Sequence, residues 1–500
     1  MKNVRRITPP YKMIRETEEQ KMYEPQLIFE EIPELTQLSD FAWKCAKNHI
    51  LSREGVPQSP YMDEGFDPTQ IWIWDTCFMS LYCKYDPQEY PGIESLRNFY
   101  APMLENAPTS LGIRIPDNPP LFAWAELENY RMTGNRAHLD EIFFVRRYPQ
   151  KMYELFENFH YGDHPSYMTS NAPVQWEKSG PGYHWSGGRC GMDNTPRGGF
   201  GAEIMDNDPA YRSVLFLDAI AQQALSAEII YRFTGEEHFQ QEYEHLKKLI
   251  NQYYWDEEDG CYYDIEAQSP HRRIKVMTPA SFWPLLAGIA SEDQAERMTE
   301  HVRNPDHLGG PVPLPSVARN SEYFNSTGQY WRGGVWLPTA YMAVKALERY
   351  GFQELANEIG EKIVLHQLKT FTEFAPHTIW EAYSPTEARP ATKKSGQPDQ
   401  ICRPDFCGWS ALGPINLAIE NLLGIHADGV DSKILWRIHH RCRHGIRQLH
   451  FGKITTDLIY QDGKISVTSK APFVLQCGNQ EFHIPIGVSQ IEIKSGRNDG

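Results

Sequence analysis

Tyr130-Arg131-Met132-Thr133-Gly134 ends one helical pattern, and it recurs as Tyr231-Arg232-Phe233-Thr234-Gly235 and, in part, as Glu348-Arg349-Tyr350-Gly351. Each glycine stands where the C-terminal cap of a helix favours left-handed backbone, and another amphipathic pattern follows almost at once. The glycines are about 100 and then about 115 residues apart, as expected for αα-hairpins of roughly 50 residues with loop insertions between them. The repeat therefore predicts a body built from paired helices.

Apolar residues recur at helical spacing over most of the chain, starting at Leu35. After this first helix, the pattern predicts helices at 71–85, 93–106, 121–133, 138–160, 209–234, 238–254, 281–303, 333–350, 353–370 and 409–424. The 281–303 pattern divides in two, so about a dozen helices result. They can form an open solenoid or a closed ring, and only closure buries the ends without polar capping repeats. Because no polar terminal repeat is present, the sequence predicts an all-α (α/α)6 toroid.

The pattern changes after about residue 430, where short β-rich segments alternate with turn signals. Strands are predicted at Ile454–Tyr460, Lys464–Ser469, Phe473–Gln476, Gln480–Ile484 and Val488–Ile493. The polar, proline-punctuated start of the chain is typical of an extended arm. We therefore predict an N-terminal arm at 1–34, a catalytic barrel at 35–430 and a small antiparallel β-domain at 431–500.

Composition excludes several classes of function. A net charge of −16 argues against nucleic acid or an anionic membrane as partner. No window approaches the length of a membrane span, and no apolar stretch follows the charged start at residues 1–6. Nine cysteines without CxxC spacing predict neither a disulfide framework nor a zinc site. The interpretation is a reduced, cytoplasmic protein.

The segment His439-His440-Arg441-Cys442-Arg443-His444 is rich in metal-ligating residue types. Its spacing matches no known ligand pattern, so a polar strand or surface turn is the prediction. No metal site and no cofactor are expected from the sequence.

The loop at 187–199 holds five glycines and a proline around one carboxylate, Asp193. Long loops of this kind are functional or disordered, and the aromatic residues Trp176, Tyr183 and Trp185 ahead of it argue against disorder. The alternative role for Asp193 is structural, as a helix cap or in an Asx-turn. A second carboxylate nearby, Glu177, is interpreted as a solvated ion pair with its neighbour Lys178.

Glu381 is the second candidate, in Thr378-Ile379-Trp380-Glu381-Ala382-Tyr383-Ser384-Pro385. Aromatic neighbours remove water from a carboxylate, which raises its pKa and suits it to proton transfer. Two isolated carboxylates in aromatic loops are what acid/base hydrolysis of a glycosidic bond requires.

Six segments, in family order from about residue 71 to about 414, resemble motifs of the (α/α)6 glycoside hydrolases of families 63 and 37. In size the chain is most similar to the bacterial mannosylglycerate and glucosylglycerate hydrolases of the family 63 type. The matching segments are Trp72-Ile73-Trp74-Asp75, Asn118-Pro119-Pro120, Gly191-Met192-Asp193-Asn194-Thr195-Pro196, Tyr330-Trp331-Arg332-Gly333-Gly334-Val335-Trp336-Leu337-Pro338, Trp380-Glu381-Ala382-Tyr383 and Gly408-Trp409-Ser410.

The resemblance implies an inverting, exo-acting enzyme that cleaves a small α-linked glucoside or mannoside without a cofactor. It implies Asp193 as the general acid and Glu381 as the general base. The substrate-binding residues it implies are Trp74, Asp75, Asn118, Asn194, Trp331, Arg332, Trp336, Trp380, Tyr383 and Trp409. Two departures bear on substrate choice: Arg189-Cys190 stands where the family usually has Glu-Ser, and Asn118 where related enzymes often have Gln.

Several of these residues have structural alternatives. Asp75 can cap its helix, and Trp331 and Trp336 can be core residues. Arg332 is expected to pair with a buried carboxylate, for which Glu381 is the candidate.

Two other classes of function remain open at this stage. A sugar epimerase can use the same toroid, but such enzymes rely on histidines, and the motif loops offer only His184 and His377. A non-catalytic sugar-binding protein would keep its affinity without Asp193 and Glu381 and would show no turnover.

Overall fold

A computed structural model describes residues 24–113, 120–167, 174–185, 190–199 and 212–493. In this part of the chain twelve α-helices occur. They are α1 (Glu34–Asn48), α2 (Ile73–Cys83), α3 (Arg97–Glu105), α4 (Phe122–Thr133), α5 (Arg136–Asp140), α6 (Tyr148–Glu157), α7 (Leu217–Thr234), α8 (Glu237–Tyr253), α9 (Trp283–Leu286), α10 (Glu292–Arg303), α11 (Leu337–Arg349) and α12 (Gln353–Glu373). The helical body also contains two π-helical segments, Glu141–Arg146 and Gly413–Leu422, and three short 3-10 helices, Glu94–Leu96, Pro279–Phe282 and Ser410–Leu412.

The helices predicted from apolar spacing are confirmed, with boundary shifts of a few residues at most of them. The 138–160 pattern is interrupted at Arg147, which adopts left-handed backbone with φ of 58°. The repeated glycines cap helices as expected, because Gly134 and Gly235 end α4 and α7 with φ of 59° and 69°. Residues 209–211 of the 209–234 pattern lie outside the described residues. The predicted start is wrong, because Val214–Leu215 forms a short strand and α7 begins only at Leu217.

Six helical segments contact one another in a closed succession. α2 contacts α4, α4 contacts α7, α7 contacts α9 and α9 contacts α11. The Gly413–Leu422 segment contacts α11 on one side and α2 on the other. Every residue of α2 is buried, as a helix surrounded by other helices requires.

Short strands also occur inside the helical body, which the sequence does not predict. They are β2 (Ile50–Leu51), β3 (Tyr61–Met62), β4 (Gln70–Ile71), β5 (Gly112–Ile113), β6 (Trp176–Ser179), β7 (Gly182–Trp185), β8 (Val214–Leu215), β9 (Trp255–Asp256), β10 (Cys261–Tyr262), β11 (Asp264–Glu266) and β12 (Arg273–Ile274). The body is therefore mainly helical rather than all-α. Elements of two to four residues are too short for a periodic signal.

The C-terminal β-region contains two sheets. Its strands, with one contributed by the start of the described chain, are β1 (Gln26–Phe29), β13 (Ile425–Asp428), β14 (Lys433–Trp436), β15 (His444–Phe451), β16 (Ile454–Gln461), β17 (Lys464–Ser469), β18 (Phe473–Cys477), β19 (Gln480–Ile484) and β20 (Gly487–Glu492). One sheet has the order β1-β15-β16-β17-β20 and the other β13-β14-β18-β19.

The prediction of a purely antiparallel β-domain is wrong at one pair, because β14 and β18 run parallel. The β15–β17 meander separates these two strands in the chain, and parallel pairing needs such a long connection. The five strands predicted from sequence are confirmed to within one residue at each end. Within the predicted arm, β1 pairs with β15 from Gln26↔Arg447 to Phe29↔His444. The division at residues 34 and 430 stays a prediction.

The β-region docks on the C-terminal end of α4 through backbone contacts. The amides of Gly429 and Gly452 donate to the carbonyl oxygens of Arg131 and Met132 at 2.7 and 2.8 Å. A Cβ on Gly429 would lie 2.2 Å from the Met132 oxygen, so only glycine allows this approach. All nine cysteines are free thiols. No helix among the described residues is long and apolar enough to cross a membrane.

Candidate active site

Asp193 lies in an irregular loop, of which residues 190–199 are described. The loop packs against the segment Trp72–Asp75, because a Cβ on Gly191 would lie only 2.8 Å from the indole of Trp74. Gly191 also has a φ of +81°, a conformation that glycine adopts without strain. Gly191 therefore sets how closely the loop approaches the start of α2.

Arg197 anchors the same loop through two buried carboxylates. Its guanidinium is buried and donates to Asp264 at 2.6 and 2.9 Å and to Asp218 at 2.9 Å. Asp264 also accepts the backbone N–H of Leu217 at the start of α7 at 2.8 Å. One buried cation and two carboxylates thus fasten the loop to α7 and β11, a role that no sequence motif indicated.

Glu381 occupies a buried turn between two β-bridges. Its backbone amide donates to the Arg403 carbonyl oxygen at 2.9 Å, and its own carbonyl accepts the indole N–H of Trp409 at 2.8 Å. The side-chain carboxylate accepts the Tyr330 hydroxyl at 2.6 Å on Oε1 and the Arg403 amide at 3.1 Å on Oε2. Only 2% of the residue is exposed. The carboxylate is therefore rigidly oriented.

Burial raises the pKa of Glu381, and the hydrogen bonds from Tyr330 and Arg403 oppose that rise without cancelling it. The pKa of Tyr330 is raised well above its usual range, first by burial and then by the charges of Glu381 and Asp193. A carboxylate with a raised pKa is a stronger base, and two donors keep its ionised form accessible.

Tyr330 and Lys394 connect the two carboxylates. Lys394 Nζ lies 3.4 Å from Asp193 Oδ2 and 5.8 Å from the centre of the Tyr330 ring. The Asp193 side chain is 39% exposed, in contrast to Glu381. Two carboxylates that are distant in sequence thus both lie near one tyrosine, in different environments.

Asn194 and Tyr383 hold backbone segments in place. The Asn194 amide donates to the Gln329 carbonyl at 3.0 Å and accepts the Trp331 amide at 2.8 Å. The Tyr383 hydroxyl accepts the Trp380 amide at 3.0 Å. Their substrate-binding role stays a prediction, since these bonds serve to position the residues next to them.

Four tryptophans lie close to Glu381, and three of them pack against one another. Trp331 and Trp336 are stacked with ring centres 4.0 Å apart and planes 7° apart, and both precede α11. Trp409 lies 5.7 Å from Trp336, and Trp380 is buried next to Glu381. All four are at most 5% exposed, as the core alternative expects, and their role in binding sugar stays a prediction. Aromatic faces of this kind bind the apolar faces of sugar rings.

Asp75 lies in the first turn of α2, but Trp72 occupies the N-cap, so Asp75 is not the capping residue. Next to it is Glu64, which the sequence analysis missed. Both carboxylate oxygens of Glu64 are buried without a hydrogen-bond partner among the described residues. Burial, followed by the charges of Asp63 and Asp75, raises the pKa of Glu64 well above its usual range. A buried carboxyl group of this kind requires a polar neighbour such as water or a sugar hydroxyl. The only sequence signal for Glu64 was the acidic pair Asp63-Glu64 ahead of the segment Trp72–Asp75.

Two expected ion pairs are wrong. Arg332 donates to the Asn194 carbonyl at 3.2 Å, whereas the carboxylate of Glu381 bonds Tyr330 and Arg403. Glu177 pairs with Arg212 at 3.2 Å, and Lys178 pairs instead with Glu157. Glu177 thus pairs with a residue of a distant segment instead of with its neighbour in sequence. Asn118 and Arg189 lie outside the described residues.

The model of the mannosylglycerate hydrolase MGH1-like glycoside hydrolase domain matches residues 105–399, more than half of the chain. The protein is therefore a glycoside hydrolase. Within that class, the chain belongs to the MGH1-like glycoside hydrolase family, and the resemblance to family 63 enzymes is confirmed.

Individual relatives agree with this assignment. An uncharacterized protein of Borreliella burgdorferi is 26% identical over 435 residues, covering 83% of this chain and 84% of the relative. A probable mannosyl-oligosaccharide glucosidase of Schizosaccharomyces pombe is 23% identical over 440 residues, covering 74% of this chain and 51% of the relative. This chain thus spans about half the length of the yeast protein.

Among solved structures, the GH63 mannosylglycerate hydrolase of Thermus thermophilus in complex with glucose has a similar fold. The TM-score is 0.54 at 19% identity, covering 76% of this chain and 99% of that one.

Proposed function

We propose that this protein is an inverting, exo-acting glycoside hydrolase that removes a terminal glucosyl or mannosyl group from a small α-linked substrate. Asp193 protonates the departing glycosidic oxygen, and Glu381 takes a proton from the water that attacks the anomeric carbon on the opposite face. The observation that carries the proposal is the arrangement of these two carboxylates around Tyr330, one partly exposed and the other buried.

The different environments support these roles. Glu381 is held by two donors that favour its ionised form, as a base that activates water needs. Asp193 is accessible beside Lys394, and a bound substrate would remove water from it, which raises the pKa of a carboxyl group. We therefore assign the acid role to Asp193, because substrate binding changes its surroundings more than those of the buried Glu381.

The chemical class of substrate is inferred from relatives. One relative is named as a probable mannosyl-oligosaccharide glucosidase and a structural neighbour as a mannosylglycerate hydrolase. We assign the sugar-binding role to the residues that the family resemblance implies and to the buried carboxyl group beside Asp75. These residues are Trp74, Asp75, Asn118, Asn194, Trp331, Arg332, Trp336, Trp380, Tyr383 and Trp409, with Glu64 added.

The helical body is proposed to be an (α/α)6 toroid at 35–430, with an arm at 1–34 and the β-region at 431–500. The cycle of contacts from α2 through α4, α7, α9, α11 and Gly413–Leu422 back to α2 supports a ring of inner helices. In such a ring the long loops gather at one rim, which accounts for a site built from segments distant in sequence.

Proton NMR of the reaction, recorded before mutarotation, tests the mechanism. The substrates are α-linked mannosyl- and glucosyl-glycerate and α-linked disaccharides, and we expect the β-anomer to appear first. This requires a carboxylate separation of about 6.5–9.5 Å, which leaves room for the attacking water. Glu381→Ala should abolish hydrolysis, and azide should restore part of it. First appearance of the α-anomer would show that the enzyme retains configuration.

A further inference from the structure

Three metal-ligating side chains meet at the junction between the helical body and the β-region. They are Glu361 of α12 and the neighbouring residues His439 and His440, between β14 and β15. Glu361 Oε2 lies 3.5 Å from His440 Nε2 and 4.0 Å from His439 Nε2. All three ligand atoms lie within 4.8 Å of one another, the one such group found in the described part of the chain.

The histidine nitrogens that face Glu361 are suited to bind a cation. His439 Nδ1 lies 2.9 Å from the Arg437 carbonyl oxygen. A carbonyl accepts only from an N–H, so this bond places the proton on Nδ1 and leaves the lone pair on Nε2. Hydrogen bonds of this type orient the histidine ligands of metal sites.

His440 provides the independent observation. Its Nε2 is buried and has no hydrogen-bond partner within the ranges that the structure describes, although it points toward Glu361. Its ring is held edge-on against Phe29 of β1, with centres 4.9 Å apart. A buried nitrogen of this kind needs a polar neighbour, which a bound cation can supply together with Glu361.

We propose that Glu361, His439 and His440 bind one divalent transition-metal ion of the Zn²⁺ type. Bonds of about 2.0–2.1 Å in tetrahedral geometry put ligand atoms about 3.3 Å apart. The Glu361–His440 separation of 3.5 Å is close to this value, and side-chain rotation has to shorten the other separations, which are at most 4.8 Å. The side chains of His439 and Glu361 are about one third exposed, which leaves the fourth position to water. The carboxylate supplies negative charge, and two imidazoles favour zinc over magnesium or calcium.

The site ties α12 to the connection between β14 and β15. Metal binding adds its free energy to the folded state, because the unfolded chain does not hold the three groups together. The ion therefore acts as a clip between the helical body and the β-region and takes no part in hydrolysis. The histidine segment alone lacks a ligand spacing, and α12 supplies the third group from a different element.

A second histidine pair serves as a control within the same protein. His301 and His307 are stacked, but their Nδ1 atoms lie 3.0 Å apart and bond each other, and His301 Nε2 bonds the Gly260 carbonyl at 3.0 Å. Both nitrogens of His301 are thus already engaged. This pair is not expected to bind the ion.

The test uses the full chain, treated with EDTA, freed of the chelator and titrated with Zn²⁺ or Co²⁺ alone. We expect one equivalent of Zn²⁺ by calorimetry, d–d absorption from bound Co²⁺ and a Tm that rises with free Zn²⁺. Glu361→Gln, which preserves shape, should weaken Zn²⁺ binding by at least about tenfold, and His440→Ala should do the same.

His307→Ala should bind Zn²⁺ like the unaltered protein. The proposal is overturned if the unaltered protein binds no Zn²⁺. It is also overturned if Glu361→Gln, with an unchanged circular dichroism spectrum, retains full affinity, or if His307→Ala is the variant that loses it. Activity toward glycosides should be the same with and without EDTA.

Discussion

At the scale of single residues, Tyr330 is the link between the two proposed catalytic groups. Its hydroxyl donates to Glu381, and Lys394 lies near its ring while contacting Asp193. The proton-transfer properties of both carboxylates therefore depend on groups outside the short segments that carry them.

Replacing Asp193 with Asn removes the proposed proton donor while keeping the shape of the side chain. Turnover of substrates with poor leaving groups should fall by at least about 10²-fold, whereas a good leaving group needs less protonation and should be partly rescued. Glu177→Gln, which changes a carboxylate paired with Arg212, is the control and should leave both rates unchanged. Equal losses for both kinds of leaving group would remove Asp193 from the acid role.

Tyr330→Phe should shift the pH dependence of kcat/KM. The hydroxyl favours the ionised form of Glu381 and so lowers its pKa; without it, the pKa that burial has already raised goes higher still. A general base works only when ionised, so the acidic limb of the profile should move to higher pH.

The control is Tyr350→Phe. The Tyr350 hydroxyl donates to the Ala290 carbonyl away from the site, so its loss should leave the profile unchanged. An unchanged acidic limb in Tyr330→Phe would mean that a different group titrates.

At the scale of elements, the loop that carries Asp193 has no regular structure of its own in its described part and relies on neighbouring elements for its conformation. Gly191 contacts Trp74 at α2, and Arg197 bonds the carboxylates of Asp218 in α7 and Asp264 in β11. These contacts limit the freedom of a glycine-rich segment, which would otherwise be costly to order.

Arg197→Met should destabilise the protein by about 3–5 kcal/mol, because it leaves two carboxylates buried without their cation. Urea unfolding measures this loss, and adding Asp218→Asn and Asp264→Asn to the same variant should recover part of it. Arg212→Met, at a half-exposed arginine, should change stability by only about 0–1 kcal/mol. If Arg197→Met also lost only about 0–1 kcal/mol of stability, the buried group of Arg197, Asp218 and Asp264 would not hold the loop.

At the scale of the whole molecule, the first described strand pairs with the C-terminal β-region. β1 pairs with β15, and the buried ring of Phe29 packs against His440 and His444. The start of the described chain thus covers an edge of the five-stranded sheet that would otherwise expose unpaired backbone groups.

Phe29→Ala, measured in the presence of EDTA, should lower the free energy of unfolding by about 3–5 kcal/mol through loss of a buried ring and the cavity it leaves. The matched control is Val430→Ala, at a residue that is 44% exposed, with an expected change within about 0.5 kcal/mol. Similar small effects for both would indicate that β1 contributes little to stability.

The helices were predictable because each buries one face at a regular spacing, as at Leu35, Leu38 and Ala42 of α1. The glycine caps at Gly134 and Gly235 were also local signals. The two-residue strands and the parallel pairing of β14 with β18 were not, since pairing depends on which segments meet in space.

The helical body, five strands of the β-region and the glycoside hydrolase family could be predicted from the amino-acid sequence, because residue spacing and short motifs are local features of the chain. Three contacts are visible only in the folded protein: Tyr330 bonds Glu381, Arg197 anchors the loop that carries Asp193, and Glu361 faces two histidines. Each of these contacts joins segments distant in the chain. Their distances are set by how helices and loops pack, and no local pattern of residue types encodes that packing.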